Sequence, residues 1–433
     1  MHTFDLSMEH ITKVEGNASL NLKVENGKVT DVKFAIEEYK RFFTDAMTGK
    51  PIAAIPAHLA RICGTCSNAH IMCSIAACEN ALGIEPTAQT KLLRSLTMHG
   101  LIIRDHALHL YLFCMPDIYG KDAFLDLDET DSEQHQILHD GFDVKSAGNH
   151  LATLIAGRSV HATYPVIGGY LHFPDAVGVK EAIAKLQAVR PAVLRLIKIF
   201  ENAPFHFDRK TKFMALIPSG NFGYVGDVIR TSLNESYGKD QFRSHLEHVV
   251  LPYSQASAYK YRGETYMVGA LARVNLAKDQ LHPKTKESLG KTLDLFPSTD
   301  IYFNNLAQAI EILHSVDESI DILTNHEFKP EPVIKPTFKD ATGIGVIEAP
   351  RGTLYHKVVI GNDGIVKSGE VVVPTGQNQI NIELDIGKLV DQLLQDKSMT
   401  KDKISLEIEK LIRAYDPCMS CATHFLKVHW DEK

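Results

Sequence analysis

Two Cys-x-x-Cys pairs, one near each end of a 433-residue chain, constrain the fold more than anything else in the sequence. The first lies in Arg61-Ile62-Cys63-Gly64-Thr65-Cys66-Ser67-Asn68-Ala69-His70, the second in Asp416-Pro417-Cys418-Met419-Ser420-Cys421-Ala422-Thr423-His424. Two intervening residues let both sulfurs of a pair turn toward one point, and Gly64 tolerates the tight turn this requires. Soft thiolates select zinc, copper, nickel or iron over magnesium or calcium. The helical run after His70 puts the first pair near a helix N-terminus, which is expected to lower its thiol pKa. A structural four-cysteine zinc site is one alternative, although zinc ribbons usually space their pairs by about 15–20 residues. A thioredoxin-like redox pair is another, but it needs a βαβ unit that is not apparent here. If the two pairs act together, the fold must bring the chain's ends to one place.

The remaining three of the seven cysteines, Cys73, Cys78 and Cys114, lie in apolar helical surroundings and read as buried, inert thiols. An odd, sparse set is unlike a disulfide framework. Charged residues make up 23% and the net charge is -7, an ordinary globular balance that argues against a general nucleic-acid binder. No run of about 18 apolar residues predicts a membrane span, and MHTFDLSMEH does not read as a secretory leader.

Residues 18–38 alternate apolar and polar around Glu25-Asn26-Gly27-Lys28, which predicts a β-hairpin. A helical period runs from about 52 to 116, and 140–200 reads as helices broken by Gly157, Pro165, Gly168 and Gly169. Residues 121–134 read as an acidic surface segment, 305–325 as a helix, 343–385 as a glycine-punctuated β region, and 386–413 as a last amphipathic helix. The expected class is therefore α+β: a mainly helical body with an N-terminal hairpin and a peripheral β region near 343–385. No linker or repeat divides it, so residues 1–433 are expected to form one composite domain.

The two cysteine stretches resemble the N- and C-terminal signatures of the nickel–iron hydrogenase large subunit, R-x-C-G-x-C-x-x-x-H and D-P-C-x-x-C-x-x-H. Further stretches similar to the family's motifs follow in order along the whole chain. They are Ile11-Thr12-Lys13-Val14-Glu15-Gly16, Asp105-His106-Ala107-Leu108-His109-Leu110-Tyr111, Gly157-Arg158-Ser159-Val160-His161, Glu348-Ala349-Pro350-Arg351-Gly352 and Val372-Val373-Pro374-Thr375. The resemblance implies that Cys63 and Cys418 bind nickel terminally, and that Cys66 and Cys421 bridge nickel to an iron carrying cyanide and carbon monoxide. The implied reaction is reversible heterolytic cleavage of H₂.

Glu15 is then expected to take a proton from Cys418, although by residue type alone it is a charge at a hairpin edge. Arg351, with Pro350 beside it, is expected over the open side of the metals, with Asp105 and Asp416 as its carboxylate partners. Thr375 is expected to donate its hydroxyl to a cyanide, and His70 to lie near a bridging sulfur. His106 and His109 read as supporting or core residues, and His135 and His139 as a solvated helix face.

The family also implies His424 as ligand to a magnesium-like ion, and in many members removal of the residues that follow it, here 425–433. Aligning Gly49-Lys50-Pro51 places Arg41 and Thr44 where the family has an Arg and the glutamate that helps hold this ion, so no acidic ligand is expected there. Lys13 stands where Arg is usual, and Thr65 where an aliphatic residue is common. The implied partner is an iron–sulfur small subunit, with further electron-transfer subunits beyond it. The expected location is cytoplasmic, with any membrane association through partners. Two other functions remain open at this point: an H₂-sensing regulatory subunit, and an electron-transfer scaffold like the quinone-site subunit of complex I, which lacks the four cysteines.

Overall fold

The computed structural model describes residues 3–39 and 41–423. His424 and the tail 425–433 lie outside them. The chain opens with an antiparallel sheet of β1 (Phe4–Met8), β2 (Ala18–Glu25) and β3 (Lys28–Ile36), in that spatial order. The β2–β3 turn is the predicted Asn-Gly hairpin: Asn26 and Gly27 take φ of 51° and 76°, the left-handed pair that a two-residue hairpin turn needs. The hairpin reading omitted β1, which pairs with β2 through Leu6 and Leu22.

The helical body follows. Helix α1 (Ser67–Leu82) begins directly after Cys66. Helix α2 (Ala88–Ala107) runs on through a π-helical turn, Leu108–Cys114. Helices α3 (Ser132–Ala156) and α4 (Ala176–Glu201) come next. Two glycines let α3 lie tightly on α2. A Cβ at Gly100 would stand 2.9 Å from the Ala152 nitrogen, and one at Gly148 would stand 2.6 Å from the Arg104 nitrogen. Residues 212–267 carry short strands with a small core of their own, in which Tyr259, Tyr261, Tyr266 and Tyr355 are buried. Helices α5 (Ala270–Ala277) and α6 (Phe303–Asn325) return to the main core.

A three-stranded antiparallel sheet of β4 (Ala341–Ala349), β5 (Gly352–Ile360) and β6 (Val366–Val372) packs on α1. Gly343 and Gly345 make this possible. A Cβ at Gly345 would stand 2.7 Å from the Ala77 nitrogen, and one at Gly343 2.6 Å from the Ala81 Cβ.

Two sequence readings need correction. The β region ends at Val372 rather than 385, because Pro374 starts helix α7 (Pro374–Leu393). The last amphipathic segment is two helices, α7 and α8 (Lys401–Ala414), with Thr400 capping the second through the Lys403 nitrogen. Mixed helix and strand in separate layers is the α+β class expected. No helix among the described residues is long and apolar enough to cross a membrane.

Candidate metal centre

The sequence ends meet through the backbone. Glu15 forms an isolated parallel bridge with Cys418, and the Met419 amide donates to the Glu15 carbonyl at 2.9 Å. Gly16, at φ 84°, allows this approach, since a Cβ there would lie 2.8 Å from that of Met419. Arg41 ties the two cysteine segments together from outside, donating to the carbonyls of Ile62 (2.6 Å) and Ser420 (2.7 Å).

The result is a cluster of four buried sulfurs. Cys63, Cys66, Cys418 and Cys421 have all their sulfurs within 4.8 Å of one another, and they are the one such group among the described residues. Cys63 to Cys418 is 3.5 Å, Cys66 to Cys421 is 3.2 Å, and Cys418 to Cys421 is 2.9 Å. None is in a disulfide. Four soft donors converging in a dry site suit a thiophilic metal, so the residues present fit the nickel–iron group that the sequence implied.

The thiols are not equivalent. Hydrogen bonding from Cys418 holds Cys63 well below the usual thiol range. Burial pushes Cys418 and Cys421 well up. The expectation of a lowered thiol at the start of α1 fails for Cys66. Hydrogen bonds from Cys418 and Cys421 pull it down, but donation to Cys63, burial and the Cys63 charge together leave it raised.

Glu15 reaches the cluster from the N-terminal segment. Its Oε2 accepts from the Cys418 thiol at 3.0 Å and from the Ser420 amide at 3.2 Å, while the Ser420 hydroxyl donates to Oε1. Burial raises its pKa, and the Cys63 charge adds to the rise. Ser420 thus orients Glu15, a role missed in sequence although the residue sits inside the second Cys-x-x-Cys.

Arg351 occupies the turn between β4 and β5. It pairs with Asp105 at 2.9 Å and Asp416 at 3.0 Å, all three nearly fully buried. Burial works against its charge, and the two carboxylates outweigh that. Asp416 is held in turn by the Gln308 side chain at 2.9 Å. A small cavity beside the sulfurs is lined by Arg351, Ala349, Leu354, His70, Pro374 and Thr375. Pro374 was not anticipated as a lining residue. Pro350 is buried between two lining residues, and its carbonyl accepts from Arg273 at 2.9 Å. Thr375 accepts from the Cys418 amide at 2.9 Å, which leaves its own proton to donate. His70 stands 3.7 Å from the Cys421 sulfur, and its other nitrogen is 3.1 Å from His356.

Behind Arg351 lies a buried polar chain that sequence reading missed. Arg273 pairs with Glu311 at 2.5 Å and Glu348 at 2.8 Å, and donates to the carbonyls of Ala349 and Pro350. Glu311 also meets His106 at 2.8 Å. His109 contacts Gln308 and the Arg413 carbonyl, so both histidines support the core as expected. The Gly157–His161 stretch braces the start of α1. Asn68 donates to the Ser159 carbonyl, and the amides of His161 and Ala162 donate to Ser67 and Asn68. His135 and His139 lie exposed on α3. Cys73, Cys78 and Cys114 are buried, and burial pushes all three thiols well up. Lys13 pairs with Asp117 at 2.9 Å.

Comparison with known proteins matches this geometry. The sequence model of the nickel-dependent hydrogenase family matches residues 41–137 and 230–424, more than half of the chain. The alpha subunit of sulfhydrogenase 2 from Pyrococcus furiosus is 30% identical over 98% of this chain and 100% of its own length. That of sulfhydrogenase 1 from the same organism is 29% identical over 98% of both. A crystal structure of an NAD⁺-reducing [NiFe]-hydrogenase in the H₂-reduced state superposes with a TM-score of 0.87 at 23% identity, covering 98% of this chain and 100% of that one. Neither the quinone-site-like scaffold nor the sensing subunit is favoured by these likenesses. The chain belongs to the nickel-dependent hydrogenase family.

Proposed function

We infer that this chain is the catalytic subunit of a nickel–iron hydrogenase, acting on H₂ and protons. The four buried sulfurs within 4.8 Å, drawn from the two ends of the chain, carry that reading. Cys63 and Cys418 are the proposed terminal ligands of nickel, and Cys66 and Cys421 the proposed bridges to an iron bearing cyanide and carbon monoxide. When bound, this group supplies the redox-active Lewis acid at which H₂ is polarised and its two electrons are accepted.

The chain's own residues handle the proton and the surroundings. Cys418 Sγ receives the proton, and Glu15 Oε2, 3.0 Å away, takes it on. A carboxyl raised by burial is a better acceptor than a solvated one, and the Ser420 amide and hydroxyl keep it aimed. Arg351 places a fixed positive charge at the wall of the cavity, held there by Asp105 and Asp416. Thr375 has a hydroxyl proton free for an anionic ligand on iron, with Pro350 beside Arg351 and His70 near a bridging sulfur. His424, outside the described residues, is the proposed ligand of a magnesium-like ion. The whole length 1–433 is read as one unit, with 425–433 a removable tail.

Electrons are read as leaving through another protein; the four cysteines are the one cluster of metal-binding side chains among the described residues. The Pyrococcus relatives are named as alpha subunits, which fits a multi-subunit enzyme. An iron–sulfur small subunit, with further electron-transfer subunits, is the proposed route. A cytoplasmic location, with membrane association only through partners, is the proposed setting.

Nickel and iron analysis with infrared spectroscopy tests the reading. Stoichiometric nickel and iron with cyanide and carbonyl bands is the expected result, and zinc alone without those bands refutes it. Glu15→Gln tests the relay: H₂/H⁺ exchange should fall by about 10²-fold or more in a metal-replete enzyme. Unchanged exchange removes Glu15 from the path.

A further inference from the structure

A second guanidinium at this centre is not used by the roles above. Arg104 precedes Asp105 on α2 and is only 5% exposed. A buried arginine ordinarily has a carboxylate partner, because its desolvation is costly. Among the described residues Arg104 has none in ion-pair range, and its Nε has no hydrogen-bond partner. Its Nη2 donates instead to the carbonyl of Thr65, between the two cysteines of the first pair. Helix α3 seals the base of the side chain, since a Cβ at Gly148 would lie 3.0 Å from the Arg104 Cβ. Burial disfavours the charge, and Asp105 and the sulfurs of Cys66 and Cys63 favour it. Asp105 is already committed to Arg351. With no carboxylate of its own, Arg104 spends its hydrogen bonding and its charge on the loop that carries the first cysteine pair.

We propose that Arg104 is a positioning residue for the first cysteine pair. It fixes the Thr65 carbonyl, and so the loop that presents Cys63 and Cys66, and its positive charge raises the reduction potential of the metal those sulfurs bind. The proposal rests on the reading of the cluster as a redox-metal site. A fixed positive charge stabilises the more reduced, more negative state of a nearby centre. The effect is strong here because the site is buried and little screened. Removing the charge must shift the potential downward, whereas exchanging one cation for another must not.

The test compares Arg104→Gln with Arg104→Lys in the assembled holoenzyme. The readouts are nickel content and the nickel midpoint potential from an EPR-monitored redox titration. Full nickel is expected in both variants. In Arg104→Gln the potential should fall enough to change the oxidised-to-reduced ratio about tenfold at a fixed potential, about 59 mV for one electron. Arg104→Lys should stay near wild type. A nickel-replete Arg104→Gln with the wild-type potential overturns the proposal, as does an equal fall in both variants. Loss of nickel in both variants also overturns it, because Arg104 would then serve packing alone. Loss in Arg104→Gln only supports the charge role. A wild-type protein without redox-active nickel fails the underlying reading instead, and is seen before any variant is made.

Discussion

Replacing Arg273 with methionine isolates the polar chain behind Arg351. The side chain is 1% exposed, and its partners Glu311 and Glu348 are both 0% exposed. Methionine fills similar space but leaves two carboxylates buried without their cation. Removing one member of a buried pair typically costs about 3–5 kcal/mol. The Glu311 titration points the same way. Burial alone would raise it, but the Arg273 charge and hydrogen bonds hold it down, from 4.5 to about 2.

The sign of the pH dependence follows. In the wild type the folded pKa is depressed, so the Glu311 contribution is complete above 4.5 and is lost as pH falls toward about 2. In Arg273→Met only His106 still opposes the effect of burial, and the folded pKa rises. The variant then gains from a protonated Glu311 at low pH and loses that gain as pH rises. Its deficit against wild type should therefore narrow as pH is lowered from about 8 to about 5. Urea-unfolding midpoints followed by circular dichroism across that range measure it. H₂ oxidation should fall as well, because Arg273 also holds the Ala349 and Pro350 carbonyls just before Arg351. A deficit below about 1 kcal/mol, or one that does not change with pH, would refute the reasoning.

Two further perturbations probe the frame around the metals. Thr375→Val leaves the buried Cys418 amide without its acceptor, a cost of about 1–3 kcal/mol, while Thr375→Ser keeps the oxygen. Nickel retained per chain after dialysis should fall in the first and not in the second. Gly345→Ala puts a methyl against the α1 backbone, 2.7 Å from the Ala77 nitrogen, where neither element can yield easily. Destabilisation of about 1–3 kcal/mol or more is expected, with lower soluble yield and melting temperature; wild-type melting would show that β4 and α1 can move apart.

The parts of this protein that were legible in the sequence are those whose signal is local. The Asn26-Gly27 turn, the two cysteine stretches and the end of α3 at Gly157 each announce themselves within a few residues. Helix α7 does not. It opens Pro374-Thr375-Gly376-Gln377-Asn378-Gln379, a polar run after a β-rich one, and reads as the tail of the sheet. Its polar face is nevertheless buried, because each amide finds a distant partner. Gln377 donates to the Thr353 carbonyl, Asn378 bonds the Val268 backbone, and Gln379 donates to the Phe34 carbonyl. Tertiary hydrogen bonds override composition here, and no window of sequence contains them. Helix α6 carried a usable hint. Asn304, Gln308, Glu311 and Ser315 recur at helical spacing within an otherwise apolar stripe. Polar residues on a core-facing stripe ask what they bind.

Glu311 binds Arg273 and Ser315 meets the Tyr224 hydroxyl, while the other two bind the C-terminal motif. Asn304 donates to the Ala414 carbonyl and Gln308 to Asp416, both from α6. From α7, Asn381 donates to the Tyr415 hydroxyl and Thr375 accepts from the Cys418 amide. Residues 414–418 thus get little support from regular structure of their own. Asp416 even sits at φ 50°, a left-handed conformation that persists only when its surroundings enforce it. Two polar helices form the mould into which this segment is cast. Apolar residues in those helices would bury as much area at less risk of leaving a buried polar group unmade, but they would hold the segment by shape alone. Directional hydrogen bonds hold it to a few tenths of an ångström, the tolerance that four sulfurs from opposite ends of a chain must meet to share one metal site. The buried polarity of α6 and α7 is therefore as much a part of the metal site as the cysteines, and it is the part that a motif search passes over.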